Sequence, residues 1–499
     1  MSSKYHFEVD YYDRLGVDPT ADEETLRTQY RLLTRIFHPD VNPSPEAHQQ
    51  FVRLREAYDV LSDPKLRAKY DAWLAQQTLD AGLLRVIVKP GPRTLRRRVG
   101  HQRLYALVEL EVTEPGAQSS PALPLNLIVV LDRSSSMRGE RLYHAQKAVR
   151  LISERLTPQD RLGIVTFNDR AQVVLPAGPY RQPEVVLSAI NSITASGGTE
   201  ISSGLEVGLR EALRGHSRRV VTHIIFLTDG QTYGDEAQCL ELAEKIAREQ
   251  IGLTLFGLGA DWNDHLLDEM ARRSNGETLH IADPQDAVTA FEKRLETLRR
   301  TVTQETCLSI ALQPHAELLA VHQVMPALQR LTPTAEGSIK LGQLLKGLPV
   351  QVLIEFGVTP PAHQRAIIAA HLTAETKFLK KQLFTAQTRI LVVGIRDIKA
   401  EELEFPDEII GAAERVAALR LQQRAWEAVE KGNRVEAELQ LSHLATRFLE
   451  IGEPTLAALT KRELALLRRT GALSSEGSKR IKYGTRQLSL PAPDWNGAQ

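Results

Sequence analysis

Residues 132–136 read Asp132-Arg133-Ser134-Ser135-Ser136 and follow directly on the apolar run Leu125-Asn126-Leu127-Ile128-Val129-Val130-Leu131. A buried strand is expected to end here, in a turn that offers one carboxylate and two hydroxyls at alternate positions. These are hard oxygen donors, the kind a small divalent cation accepts. Two other places add donors of the same kind. The loop Ser196-Gly197-Gly198-Thr199 puts a hydroxyl on a turn whose glycines leave the backbone open. The run Ile225-Phe226-Leu227-Thr228-Asp229-Gly230 puts a second carboxylate, Asp229, at another strand end. A plainer assignment has Asp132 and the serines capping the helix that begins near Gly139. Capping gives no role to Thr199 and Asp229.

The elements that must position these donors alternate. Strands are read at Asn126–Leu131, Leu162–Phe167, Val220–Thr228, Leu253–Leu258 and Thr278–Ile281. Amphipathic helices are read at Glu140–Arg155, Glu184–Ile193, Ser202–Leu213, Asp235–Glu249, His265–Arg273 and Pro284–Leu298. Fully apolar central strands alternating with helices predict a doubly wound, mainly parallel α/β sheet. Ligands bind such sheets at the carboxyl ends of strands, where Asp132, Asp229 and the switch at Phe167-Asn168-Asp169 all fall.

With the five donors in order over one domain length, the region resembles a von Willebrand factor type A (VWA) domain with an intact metal-ion-dependent adhesion site. Asp132, Ser134 and Ser136 match its D-x-S-x-S motif, Thr199 its threonine and Asp229 its second aspartate. The resemblance implies bound Mg²⁺, with Mn²⁺ and Ca²⁺ as alternatives. It implies Ser134, Ser136 and either Thr199 or Asp132 as direct ligands, with Asp229 acting through water. Hydroxyls and waters leave such a site incomplete, so an Asp or Glu of a protein partner supplies the last oxygen.

A second set of residues lies near the N-terminus. Leu26, Tyr30, Leu33 and Phe37 share one helix face, opened by a capping box at Thr20-Ala21-Asp22-Glu23. Arg27, Arg31 and Arg35 form a basic stripe beside it. His38-Pro39-Asp40 ends that helix. A second helix starts at Ser44-Pro45 and buries Phe51, Leu54, Tyr58 and Leu61; Asp63-Pro64 begins a third, from Lys65 to Leu74. Four blocks occur in order: Tyr11-Tyr12-Asp13-Arg14-Leu15-Gly16-Val17, Tyr30-Arg31 with Phe37-His38-Pro39-Asp40, Glu56 to Asp63, and Arg67-Ala68-Lys69-Tyr70-Asp71. The region resembles a J-domain, the signature of DnaJ-type co-chaperones. The resemblance implies that His38, Pro39 and Asp40, with Arg27, Arg31 and Arg35, dock on a DnaK-type chaperone and stimulate its ATPase. Phe37 stands where that family usually has tyrosine. The family's Gly/Phe-rich linker and CxxCxGxG repeats are absent.

Short alternating strands flank the middle region: Leu83–Val88 and Leu104–Val112 before it, and Cys307–Leu312, Ala316–Val324, Ser338–Leu341, Pro349–Phe356, Gln364–Leu372 and Thr388–Ile395 after it. They predict an antiparallel β-sandwich interrupted by the VWA-like region. The basic run Arg93–Arg98 reads as a solvated strand edge. Helices are expected at Glu408–Glu430, Val435–Glu450 and Thr455–Arg469. The expected organisation is a multidomain α+β chain. It has a J-domain at 8–75, sandwich parts at 83–120 and 303–400, and an α/β domain at 121–302. C-terminal helices follow at 405–470, then a disordered tail at 471–499, of which Lys482–Leu490 could pair as a strand.

Composition narrows the function. Lys+Arg and Asp+Glu are both 62, a balance that argues against bulk nucleic-acid binding. Cys239 and Cys307 alone cannot build a disulfide scaffold or a cysteine-rich zinc site, and they suggest a reducing compartment. Met1–Asp10 has no apolar signal region and no apolar run is long enough to span a membrane, so a cytoplasmic protein with no membrane partner is expected. No phosphate loop, His-Glu-x-x-His pair or Gly-x-Ser-x-Gly elbow occurs, so no enzyme is expected. The leading expectation is an adaptor that brings a DnaK-type chaperone to a client bearing an Asp or Glu. The alternatives are a cofactor subunit of an AAA+ ATPase, or a scaffold that self-assembles through its metal.

Overall fold

The computed structural model describes residues 11–17, 21–38, 45–71, 83–97, 100–113, 123–180, 182–217, 220–232, 234–334, 336–361, 366–379 and 384–488. Helices α1 (Tyr11–Leu15), α2 (Glu23–Phe37), α3 (Pro45–Leu61) and α4 (residues 64–71) come first. Strands β1 (Leu83–Gly91), β2 (Thr94–Arg96) and β3 (Gln102–Thr113) follow. The middle region runs β4 (Leu125–Asp132), α5 (Glu140–Glu154), β5 (Arg161–Phe167), β6 (Ala171–Pro179), α6 (Pro183–Asn191) and α7 (Ile201–Gly215). It continues with β7 (Val221–Thr228), α8 (Glu236–Arg248), β8 (Gly252–Leu258), α9 (Asp264–Ser274), β9 (Glu277–Ile281) and α10 (Ala287–Arg299). Then come β10 (Thr303–Leu312), β11 (Ala316–Met325), β12 (Gln329–Leu331), β13 (Ser338–Gly342), β14 (Val350–Val358), β15 (Ala366–Phe378) and β16 (Phe384–Arg396). The last helices are α11 (Asp407–Glu430), α12 (Arg434–Glu450), α13 (Pro454–Thr470) and α14 (Ser475–Arg486).

The chain divides into two compact units. One holds residues 1–119, 302–417 and 488–499; the other holds 120–301 and 418–487. In the first, two five-stranded sheets have the orders β1-β3-β14-β11-β12 and β13-β10-β15-β16-β2. Their facing residues make one core, to which β1, β3 and β14 give Val86, Val108 and Val352, and β10, β15 and β16 give Leu308, Leu372 and Val393. Within the basic run, Thr94–Arg96 form β2, which pairs in parallel with β16 as an outermost strand; Arg98 lies outside the described residues.

The helices α1 to α4 gather round Tyr11, Tyr12, Leu15, Leu26, Leu33, Leu54 and Tyr70. Val392 belongs to that cluster, and Ile368 and Ile390 pack against it, whereas the neighbours Leu391 and Val393 belong to the sandwich core. Successive strand residues face opposite ways, so β16 is apolar on both faces because the helical domain covers its outer one. The capping box needs correction. The N-cap of α2 is Asp22, whose Oδ1 accepts the Thr25 N–H at 2.8 Å, and Thr20 lies outside the described residues, as does the connection Ala75–Gly82.

In the second unit the sheet order is β6-β5-β4-β7-β8-β9. The pairs β4–β5, β4–β7, β7–β8 and β8–β9 are parallel. Strands β4 and β7 are buried at every residue, which is why they read as unbroken apolar runs. Helices α7, α8 and α9 cover one face through Leu205, Ala243 and Leu267; α10 covers the other, where Phe291 stacks on Phe256. Strand β6, antiparallel to β5 at the sheet edge, was not expected. Its Pro176 and Pro179 hide a strand that only an edge tolerates. The segment Pro284–Leu298 also differs, opening with a 3₁₀ turn at Pro284–Asp286 before α10.

The expected disordered tail is corrected over 475–486, which is helix α14, and the expected strand at 482–490 is replaced by helix over 482–486; residues 489–499 lie outside the described residues. Ser474 caps the helix by accepting the Gly477 N–H, and buried Glu463 of α13 accepts from the Ser474 N–H and hydroxyl. The segment looks polar because its charges meet acids on α9 instead of solvent. Lys482 reaches Asp264 and Asp268, and Arg486 reaches Asp268.

Candidate functional site

Strand β4 delivers Asp132 to its carboxyl end, fully buried. Asp132 Oδ1 accepts the Ser134 N–H at 2.7 Å, and Oδ2 accepts the Thr228 hydroxyl at 2.6 Å. No cation faces it among the described residues, and burial, with the nearby Asp229 charge, pushes its carboxyl up to about 6. A buried carboxylate without a counter-charge is expensive.

The other donors gather round it. Ser134 Oγ and Ser136 Oγ are 2.9 Å apart, and the Ser136 hydroxyl donates to Asp229 Oδ1 at 2.7 Å. Asp229, also buried at the end of β7, takes Arg141 Nη1 on its second oxygen. The loop with Thr199 is tied to the Asp132 turn through the backbone. Ser196 N–H donates to Arg133 O at 2.8 Å, and Ser135 N–H to Gly197 O at 3.0 Å. From the end of β5, Asn168 Nδ2 donates to Ser196 O, and Asp169 Oδ1 accepts the Gly198 N–H. Thr199 thereby lies against Gly230, where a Cβ would stand 3.0 Å from its Oγ1; the residue after Asp229 has to be small.

These donors are not spent on capping. The N-cap of α5 is Gly139, at φ +85° and without a side-chain cap, and Ser134 makes no cap bond to the 3₁₀ turn Ser135–Met137. No group of three or more His, Cys, Asp and Glu suited to a metal occurs among the described residues. The set here is two carboxylates and three hydroxyls, with Asp132 lacking a counter-ion, and that chemistry fits a hard divalent cation.

Sequence reading missed Thr228 and Arg141. Thr228 had a signal, since it directly precedes Asp229 at the strand end. Arg141 had none, because a basic residue in the first turn of a helix is ordinarily solvated.

In the first unit, Arg27, Arg31 and Arg35 are all exposed along α2. His38 follows the helix, half-buried, its ring edge-on to Phe51 at 5.6 Å. Pro39 and Asp40 lie outside the described residues. The other motif blocks prove to be scaffold. Tyr11 N–H donates to the Tyr70 hydroxyl at 2.7 Å, Tyr11 and Arg14 both reach Glu56, and Tyr30 stacks on Tyr58 with centroids 4.0 Å apart. Arg67 Nε donates to the Tyr12 hydroxyl, which donates to Asp71. Beside this scaffold Arg27, Arg31 and Arg35 stay exposed.

Residues 126–294 match the von Willebrand factor type A domain, residues 10–71 the DnaJ domain, and residues 407–491 the Sll0103-like, C-terminal alpha-helical domain. The chain therefore joins an N-terminal DnaJ domain to a VWA domain. Over 230 residues it is 34% identical to the uncharacterized protein sll0103 of Synechocystis, covering 45% of this chain and 54% of that protein. Over 76 residues it is 46% identical to the chaperone protein DnaJ 1 of Aquifex aeolicus, covering 15% of this chain and 20% of that one. The chain thus spans about half, or less, of the curated relatives it matches. Among solved structures, a von Willebrand factor type A protein from Catenulispora acidiphila superposes with TM-score 0.67 at 16% identity, covering 83% of this chain and 99% of that one. At that identity the likeness is one of fold. No helix among the described residues is long and apolar enough to cross a membrane.

Proposed function

We propose that the chain is a non-enzymatic, cytoplasmic adaptor. Its DnaJ domain recruits a DnaK-type chaperone, and its VWA domain holds a protein partner through a divalent cation, Mg²⁺ first among the candidates. The observation that carries the reading is the buried Asp132, which faces no cation among the described residues, with Ser134, Ser136 and Asp229 linked beside it and the Thr199 loop tied to the same turn, in a chain that also presents the basic stripe of α2.

Asp132, Ser134, Ser136, Thr199 and Asp229 would hold the cation. When bound, it supplies an open coordination position for a partner's Asp or Glu. The chain's own part is to aim the donors: Thr228 and the Ser134 N–H fix Asp132, Arg141 fixes Asp229, and Asn168 and Asp169 fix the Thr199 loop. Arg27, Arg31 and Arg35 steer an acidic chaperone groove toward the His38 turn. In this reading the VWA domain is an insert, in chain order, between strands of the sandwich. Holding chaperone and client on one chain raises their encounter rate without new contacts between them.

The test is a pull-down from native cytosol with Mg²⁺ and with EDTA, using wild type and Asp132→Ala, beside the ATPase rate of a DnaK-type chaperone with wild type and His38→Gln. A partner retained by wild type with Mg²⁺ alone, and stimulation lost in His38→Gln, are expected. A partner present equally in every lane removes the metal mechanism; equal ATPase rates remove the recruiting half.

A further inference from the structure

Helix α14 lies against the loop that follows β8, and that loop reaches the candidate metal site. Lys479, almost completely buried, donates from Nζ to Ala260 O and Trp262 O, and its ammonium sits 4.7 Å from the Trp262 ring centroid. The Ser475 hydroxyl donates to Ala260 O at 2.7 Å. Trp262 is itself fully buried and donates Nε1 to Gly259 O at 3.0 Å. On the other side of the loop, Gln231, two residues beyond Asp229, donates to Asp261 O at 2.6 Å. Arg141 lies along the loop too, with Nη2 3.9 Å from Asp261 Oδ2 and 3.5 Å from where a Cβ would stand at Gly259. Its other terminal nitrogen holds Asp229.

We infer that Lys479 and Arg141 are positioning residues of the metal site: Lys479 fixes loop 259–262, the loop fixes the Arg141 guanidinium, and Arg141 orients Asp229 so that its Oδ1 faces the serine hydroxyls. The inference rests on the metal-site reading above. A buried ammonium that spends its donors on two carbonyls of one loop has a defined geometry to enforce. A guanidinium is a planar fork, so a shift of the loop turns the face it presents to Asp229. The C-terminal helix is in this way part of the support of a site built by two strand ends and the Thr199 loop, and supporting groups of this kind govern metal affinity.

The test uses the full chain with Mn²⁺ as probe. Free Mn²⁺ is titrated by electron paramagnetic resonance against wild type, Lys479→Met, Lys479→Arg, Arg141→Met and Asp132→Ala, and thermal midpoints are measured in EDTA. Lys479→Met keeps the stem and loses the donors; it is expected to weaken Mn²⁺ binding about five- to ten-fold. Lys479→Arg, which keeps charge and donors, is expected to recover most of that loss, and Arg141→Met is expected to change the affinity at least as much as Lys479→Met. Lys479→Met binding Mn²⁺ within about two-fold of wild type, while its lowered midpoint in EDTA shows that α14 has released the loop, overturns the inference. Wild type binding Mn²⁺ no better than Asp132→Ala overturns the metal-site reading itself, which is a separate outcome.

Discussion

Arg486 sets its two terminal nitrogens on the two oxygens of Asp268, each at 2.7 Å. Lys482 and the Tyr483 hydroxyl reach the same carboxylate at 2.8 and 3.0 Å. Burial works to raise this acid, but the bonds and charges of Arg486 and Lys482 prevail and hold it below the usual carboxylate range.

That balance fixes a pH dependence. An acid whose folded pKa lies below its unfolded value stabilises the fold above the unfolded value and ceases to as pH falls through the folded one. The grip of α14 on α9 is therefore expected to hold at neutral pH and to fail in acid, below about pH 4. Trp262, which packs on Tyr483 with centroids 5.5 Å apart, reports the event by its fluorescence, with Trp262→Phe as the blank. Asp268→Asn is expected to show the acid-like signal already at pH 7. A neutral-pH spectrum identical to wild type would count against the clamp.

Asp132→Asn is expected to stabilise the metal-free protein. Folding raises this acid to about 6, so its charge costs nothing below about pH 4 and, above the folded value, on the order of 3 kcal/mol. In EDTA at pH 7 the variant's thermal midpoint should exceed wild type, and the order should reverse in Mg²⁺, because only wild type gains from the cation. A variant that is less stable than wild type in EDTA contradicts the account of Asp132 as an uncompensated charge.

Arg31→Glu separates docking from folding. The side chain is exposed on α2, so stability should change by no more than about 0.5 kcal/mol. Stimulation of a DnaK-type ATPase should fall at least about ten-fold, since charge reversal in a steering patch acts on association. Unchanged stimulation would detach the basic stripe from the chaperone.

Val392→Asp tests the seat of the DnaJ domain on the outer face of β16. An unpaired carboxylate beneath α1 and α2 costs about 2 kcal/mol or more. Hydrogen exchange should quicken in α1 and α2 while the amides of β14, on the other sheet, keep their protection. The same substitution at Leu391, which faces the sandwich core, should expose β14 as well. Equal effects at both positions would refute the two-faced reading of the strand.

The local parts of the candidate site were legible. Asp132, Ser134 and Ser136 lie within one turn, and Thr199 and Asp229 fall at loop and strand ends that alternation alone locates. Arg141 and Lys479 were not legible, because their partners, Asp229 and the carbonyls of Ala260 and Trp262, are remote in sequence and a carbonyl leaves no residue signature. Helix α14 was missed for a related reason: its cations are matched by Asp264 and Asp268, and a helix held by ion pairs has the composition of a tail. Strand β6 was hidden by prolines that an edge permits. The outward Ile368, Ile390 and Val392 looked like ordinary strand residues until the helices above them were seen.

Val108 of β3 pairs with Val352 of β14, and the whole VWA domain is translated between them. At about 5–20 residues per second a ribosome needs roughly 10–50 s to cover that gap. During that interval the hairpin of β1 and β3 has emerged with its apolar face, Leu84, Val86, Leu104, Ala106 and Val108, and nothing to close on. The VWA domain, whose strands are contiguous in the chain, can finish folding while the sandwich waits. Placing a domain between two paired strands thus leaves an apolar hairpin face exposed for as long as that domain takes to be made.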